Sequence, residues 1–332
     1  MKKIQKRSWW LTFVTVALMA IVVAWPLSSA LAAADKYPEK PVRFLIAFAP
    51  GGSTDATGRL IATKLSERLG KQFVPENKAG GGGTLAAQMV ANAAPDGYTL
   101  LFHSSGIILN PLIAKQPYDP FKSFTPIAKI GNAVSVLDVH PSVPANSVKE
   151  LIALAKKEPG KLVAAAAGAG SFGHLSTVLF REMAGIDYKI TQFKGGGPAM
   201  VDVVGGHSHL IFVSIAQALP QIKAGQVKAL GYAGKSRSKM LPDVPTISEA
   251  GVPGYESFIW WGLYAPAGTP QPIIDKLNNE IAAIMKTPEM VKILDSQGAE
   301  IDLLTETDFT KFMESESAKW DQVIKRNKIA NE

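Results

Sequence analysis

The stretch Leu162-Val163-Ala164-Ala165-Ala166-Ala167-Gly168-Ala169-Gly170-Ser171-Phe172-Gly173-His174 decides the fold class. Its first six residues are apolar or small and read as a buried strand, which needs no alternation with polar positions. Gly168 and Gly170 end the strand, and a helix follows to Ala184. A strand that passes through a glycine loop straight into a helix is the repeating unit of an α/β protein.

The same unit recurs on both sides. Val42-Arg43-Phe44-Leu45-Ile46-Ala47-Phe48 is a strand, Pro50-Gly51-Gly52-Ser53-Thr54-Asp55 breaks it, and Ala56 to Leu69 is a helix with Gly70 as its stop. Phe73 to Asn77 is a strand, Gly80 to Gly83 a loop and Thr84 to Ala94 a helix; Tyr98 to Phe102 is the next strand. Downstream, Tyr188 to Phe193 leads through Gly195-Gly196-Gly197 into a helix opened by Pro198, and Gln226 to Tyr232 is a further strand. Such alternation predicts parallel sheets with helices on both faces. Two longer strand-like runs, Ile127 to Asp138 and Tyr255 to Pro266, bracket one of the α/β units. They predict two α/β domains joined by two crossings. Residues 35–138 plus 256–332 form a discontinuous first domain that takes the C-terminal helices, and 139–255 form the second. A ligand cleft lies between them, with a hinge through Val136–His140 and Glu256–Trp260.

In open α/β sheets the carboxyl ends of strands face the ligand crevice. Here those ends carry Gly, Ser and Thr and run at once into helix N-termini, which present free N–H groups and partial positive charge. Glycine removes the Cβ that would keep a ligand from the backbone. Several such termini facing one cleft bind an anion with little need for arginine. Asp55 is expected to order the first loop rather than to face an anionic ligand, and Lys194 and Arg59 are not expected to be indispensable to binding.

Enzyme classes fare poorly. Gly168-Ala169-Gly170-Ser171-Phe172-Gly173 matches the dinucleotide fingerprint in the right local setting. The next strand, however, ends Gln192-Phe193-Lys194-Gly195, with no acid for the ribose hydroxyls. The GxxxxGK[ST] phosphate loop and the GxSxG elbow are absent, and no carboxylate pair or partnered serine suggests a catalytic centre. No catalytic residue, cofactor or metal site is expected. His207 and His209 stand two apart without an apparent third ligand.

The 332 residues are 47% hydrophobic and 19% charged, enough for two ordinary cores. The net charge of +7 is concentrated at the start, where Lys2, Lys3, Lys6 and Arg7 precede the first acid, Asp35. Setting those four aside leaves 31 of the 35 basic residues against 28 acidic ones, too even a balance for nucleic acid. The basic head, the apolar run Trp9–Leu27 and the small-residue tail Ser28 to Ala34 read as a cleaved secretory signal peptide over residues 1–34, the alternative being a retained membrane anchor. Cysteine is absent, so neither disulfides nor a lipid-anchored cysteine are available. The expected mature protein is a soluble periplasmic monomer.

With these features together, the sequence resembles the substrate-binding proteins of tripartite tricarboxylate transporters, the Bug family, from about Tyr37 to the C-terminus. The resemblance is carried by Pro50-Gly51-Gly52-Ser53-Thr54-Asp55, Glu76-Asn77-Lys78-Ala79-Gly80-Gly81-Gly82, Pro95-Asp96-Gly97-Tyr98 and Gly168-Ala169-Gly170-Ser171 with His174-Leu175. Further on it is carried by Asp243-Val244-Pro245-Thr246, Trp261-Gly262 and Ala265-Pro266-Ala267-Gly268-Thr269-Pro270. It implies a two-lobed periplasmic-binding-protein fold of type II-like architecture. It also implies a small carboxylate held by main-chain amides and hydroxyls of the loops Gly52-Ser53-Thr54-Asp55 and Ala169-Gly170-Ser171-Phe172, and membrane transporter subunits as partners. Phe48, Ser104, Ser105, His174, Phe193, Lys194 and Gly195 complete the expected ligand-binding set. Departures from the family pattern include Lys78-Ala79, where Arg-Pro is common, and His207-Ser208-His209 in place of a glutamine-led stretch. The same fold also serves a ligand-sensing subunit for a membrane receptor, the alternative function.

Overall fold

The computed structural model describes residues 36–296 and 298–326. The signal peptide and its cleavage site lie outside these residues. β1 (Val42–Ile46), β2 (Phe73–Asn77) and β3 (Thr99–Ser104) pair in parallel in the order β2-β1-β3. Connecting and following them are α1 (Ser53–Leu69), α2 (Thr84–Ala91) and α3 (Gly106–Ile113). α1 buries Thr57, Ile61 and Leu65, spaced four apart on one face. Gly70 closes it at a left-handed φ of 67°, its N–H donating to the Ser66 carbonyl. That conformation is open to glycine and strained for most other residues, which is why the sequence stops the helix there.

β4 (Phe124–Val139) is a 16-residue strand that leaves this first lobe for the second. The second lobe carries α4 (Val148–Lys157), β5 (Val163–Ala166), α5 (Phe172–Ala184), β6 (Lys189–Gln192), α6 (Gly196–Val204), β7 (Leu210–Ser214), α7 (Ile215–Lys223) and β8 (Lys228–Tyr232). Here β6, β5 and β7 are parallel. The chain returns through β9 (Phe258–Pro266) and ends on α8 (Gln271–Met285), α9 (Pro288–Ser296), β10 (Ala299–Thr305) and α10 (Glu306–Arg326). α8 packs on α1 and β4, and α10 on α3, β4 and β10, so the C-terminal helices belong to the first lobe.

The two lobes share one sheet of order β2-β1-β3-β9-β4-β7-β5-β6, with β8 and β10 also pairing with β4. Parallel pairing holds only within each lobe. β3–β9, β4–β9, β4–β10, β4–β7 and β4–β8 are all antiparallel, which corrects the expectation of wholly parallel sheets. The reason is geometric: one crossing leaves the first lobe and the other returns to it, so the two run in opposite directions. β4 pairs with β9 as far as Val134↔Phe258 and with β7 from Ser135↔Ser214. The exchange of partners therefore falls at Ser135, one residue before the expected crossing. Ser135 N–H donates to the Ser257 carbonyl (3.2 Å) and Ala233 N–H to the Ser135 carbonyl (2.9 Å), while Ser176 and Ser257 hydroxyls meet at 2.5 Å. The first two bonds satisfy buried backbone groups that the change of partner leaves off the ladder, and the third pairs two buried hydroxyls beside them.

Candidate ligand-binding site

Four strand ends turn into helices at the seam between the lobes, and each presents its helix N-terminus there. The start of α1 has Gly52 as N-cap and no side-chain cap. Asp55 lies beneath this loop and orders it. Its carboxylate accepts the Gly51 N–H (3.1 Å), the Arg59 Nε–H (2.8 Å) and the Asn77 side-chain amide (2.8 Å), and Asn77 also donates to the Phe48 carbonyl (2.8 Å). At α5, Ser171 caps the helix by accepting the His174 N–H at 3.2 Å, and His174 Nδ1 accepts the Gly170 N–H at 3.2 Å. α6 starts after Gly195 and α7 after Ser214, each without a side-chain cap.

All four helix starts line one cavity of about 50 Å³: Gly52, Ser53 and Thr54 from α1, Ser171 to Gly173 from α5, Gly196 from α6, and Ser214 with Gln217 from α7. Phe48, Ser104, Ala167, Phe212, Val213 and Ile259 complete the wall. Among the described residues, no Asp, Glu, Lys, Arg or His lines it. His103, directly behind on β3, is fully buried, and desolvation holds its pKa down to about 4. It is therefore neutral near pH 7, and its Nδ1 is within 2.8 Å of the Ser104 carbonyl. Among the described residues no group of three His, Cys, Asp or Glu is placed to hold a metal. The wall thus offers the starts of four helices and no charged side chain among the described residues, an arrangement that suits an anion.

The lobes touch across this cavity. Ala49 N–H donates to the Lys194 carbonyl at 3.0 Å. A Cβ on Gly197 would overlap the Pro50 carbonyl, one on Gly82 the Ala169 carbonyl, and one on Gly170 the Asn110 side-chain amide. Glycine is thus needed at both lips because two backbones pass without room for a side chain.

Of the residues singled out in the sequence, Phe48, Gly52, Ser53, Thr54, Ser104, Ser171 and Phe172 line the cavity. Asp55 and His174 are buried behind it as loop organisers. Ala169 and Gly170 stand at the contact between lobes, and Ser105 starts α3 with its N–H donating to the Trp260 carbonyl (3.0 Å). Gly195 is the N-cap of α6, Lys194 is exposed, and Phe193 faces a separate open groove with Pro198 and Val201. Sequence reasoning missed the contribution of β7 and α7, namely Phe212, Val213, Ser214 and Gln217, and that of Ile259 on β9. No glycine punctuates Leu210 to Gln217, so that junction was silent; the Ser-x-x-Gln spacing was the available signal.

Because Arg59 is engaged with Asp55 and Asn77 and Lys194 points to solvent, neither supplies a counter-charge to the cavity. Lys194→Met and Arg59→Met are each expected to weaken ligand binding less than about tenfold, below the effect of losing a charge-assisted hydrogen bond. Titration calorimetry on the two variants checks this; a loss beyond about a hundredfold in either would mean a side-chain clamp.

Residues 57–329 match the model of the tripartite tricarboxylate transporter family receptor. The chain belongs to this receptor family. Its fold is shared with solved binding proteins at high similarity. An R. palustris protein with adipate superposes at a TM-score of 0.86 with 37% identity, covering 89% of this chain and 99% of that one. The periplasmic binding protein BugD superposes at 0.85 with 34% identity, over 89% of this chain and 100% of that one. MatC from Rhodopseudomonas palustris with bound malate superposes at 0.82 with 33% identity, over 87% and 100%. Family and fold are those of substrate-binding receptors rather than of enzymes. In this receptor no helix among the described residues is long and apolar enough to cross a membrane.

Proposed function

We propose that this receptor captures a small carboxylate outside the cytoplasmic membrane and delivers it to the membrane subunits of a tripartite tricarboxylate-type transporter. One observation carries the reading: four helix N-termini converge on a single cavity whose walls, among the described residues, bear no charged side chain. Helix starts are worth most to an anion where water is scarce, and the carboxylate is the compact anion that two or three amides can hold. The adipate and malate seen in similar proteins agree with this class. The transporter-receptor family favours transport over the sensing alternative. The protein acts as a soluble periplasmic monomer after cleavage between Ala33 and Asp35. Residues 35–138 with 256–332 form one lobe and 139–255 the other, and the lobes close on the ligand about the β4 and β9 crossings.

A thermal-shift screen of mono-, di- and tricarboxylates on the mature protein tests this. A ligand that binds only the folded state at 100 times its Kd stabilises it by about 2.7 kcal/mol, a shift of several degrees. At least one carboxylate should produce such a shift, and the corresponding amide should not. If no carboxylate raises the melting temperature while neutral or cationic compounds do, the anion reading is wrong.

A further inference from the structure

Behind the crossing strands lies a second cavity, an open groove of about 470 Å³. Asn132 and Val134 of β4 and Phe258 of β9 form its floor. Phe258 and Ile259 are consecutive on a strand and so point to opposite faces of the sheet. Ile259 lines the ligand cavity and Phe258 lines the groove, so the two lie on opposite sides of the crossing. One wall of the groove is Tyr232 to Met240 of the second lobe; the other is Asp295 and Gly298 to Glu300 of the first. The walls meet at one end, where a Cβ on Gly298 would overlap Ile215 and the Met240 sulfur.

The two walls carry opposite charge. Lys235, Arg237 and Lys239 line the second-lobe side, Asp295 and Glu300 the first-lobe side, and Glu256 lies beside the floor. Arg237 is engaged by Glu249 at 3.0 Å. Lys319 approaches from α10, 5.2 Å over the Phe258 ring, and pairs with Glu316 at 3.2 Å. Lys235, Lys239, Asp295 and Glu300 are exposed, and among the described residues none of these four has an ion-pair partner. Their walls nonetheless face each other: burial and, from across the groove, the Glu300 carboxylate raise the pKa of the Tyr232 phenol. Opposite charges held apart in this way attract more strongly as the gap narrows.

We infer that this groove is an electrostatic latch for the open receptor: when the lobes part on the cavity side they approach on the groove side, and Lys235 and Lys239 pair with Asp295 and Glu300. This rests on the reading that the lobes move about the β4 and β9 crossings, and not on which anion is bound. In the structure the lobes touch across the ligand cavity, through the Ala49 N–H and the Lys194 carbonyl at 3.0 Å, and the pairs are parted. The latch holds the empty receptor open to solute, and closure on a ligand releases it. Exposed ion pairs contribute little singly, so the bias is a matter of a few-fold.

The chain has no cysteine, so Thr63→Cys on α1 and Lys156→Cys on α4, both exposed, place one spin label on each lobe. Pulsed electron–electron resonance on the ligand-free mature protein then reads the open and closed populations. Lys235→Glu with Lys239→Glu should lower the open-to-closed ratio by about threefold or more, the scale of exposed ion pairs lost. Asp295→Lys with Glu300→Lys should do the same. All four substitutions together should restore the ratio to within about twofold, because the attraction returns with its signs exchanged. Salt at about 1 M should lower the wild-type ratio in the same direction. A ratio that neither reversal lowers, or a fall that the fourfold variant does not reverse, overturns the latch and leaves lobe motion and the carboxylate reading intact. One distance common to every variant means that the lobes do not move about these crossings, and the latch falls with that reading; the thermal-shift screen still decides the anion on its own.

Discussion

Gly170→Val is expected to weaken ligand binding by at least about 100-fold, since roughly 3 kcal/mol of backbone strain and overlap corresponds to that factor. Gly170 has φ 73°, a region that valine enters only at a cost. Its missing Cβ is also where the Asn110 side-chain amide of the other lobe sits. Asn110 cannot swing away freely, because its Nδ2 donates to the Gly82 carbonyl (3.1 Å), and Gly82 itself packs against the Ala169 carbonyl. The lesion is thus to lobe closure, and an open receptor with a sound fold is the expected product. Calorimetry should show the lost affinity, and small-angle scattering should show a radius of gyration that no longer falls on adding ligand. Binding within tenfold of wild type would mean that the contact at Gly170 is not part of the closed state.

Asp138→Val should raise the melting temperature, and by more at pH 8 than at pH 4. Asp138 lies on β4 with no exposed surface, and neither carboxyl oxygen has a hydrogen-bond partner among the described residues. It shares a face with Val136, and its ladder partners Ile211 and Ala229 belong to the same apolar cluster. Burial drives its pKa well above the usual carboxylate range. The carboxyl thus keeps its proton to higher pH in the fold than in the unfolded chain, where it ionises above about pH 3.9. The folded state then binds the extra proton, so stability is fully present below about pH 4 and is lost as pH rises toward the folded-state pKa, at up to about 1.4 kcal/mol per pH unit. The unpaired group costs about 1–3 kcal/mol even when neutral. Each kcal/mol moves the melting temperature of a chain this size by about 1.5–2 °C. Melting curves of wild type, Asp138→Val and Asp138→Asn from pH 4 to 8 check the sign. The asparagine variant should lose the pH dependence. A gap between wild type and the valine variant that narrows as pH rises would mean that Asp138 is ionised and paired in the folded protein.

Local chemistry made much of the molecule legible. The strand–glycine–helix units are written in short-range terms: apolar runs, a breaker, then helical spacing. β1, β5 and the starts of α1, α5 and α6 follow from them, as does the left-handed Gly70 that ends α1. The free N–H groups at Gly52 to Thr54 and at Ser171 to Phe172 follow too, because a helix N-terminus carries its unpaired N–H groups wherever it is placed. β7 was not legible, since Leu210–Ser214 enters α7 without a glycine or proline to mark the turn.

Gly170 shows where such reasoning stops. From sequence, its lack of a side chain reads as room for a ligand; in the fold, the space is filled by Asn110, 60 residues earlier in the chain and on the opposite lobe. Asp138 makes the same point, because nothing in Val136-Leu137-Asp138-Val139 says that its carboxyl will face Ile211 and Ala229 rather than water. The α/β class and the glycine-bounded helix starts are properties of contiguous residues and can be read one segment at a time. The antiparallel crossings, the fourth helix start at Ser214, the uncharged cavity wall and the glycine contacts between lobes depend on pairs far apart in the chain. They exist only once β4 and β9 bring the two lobes face to face, because burial and close approach are set by which surfaces meet.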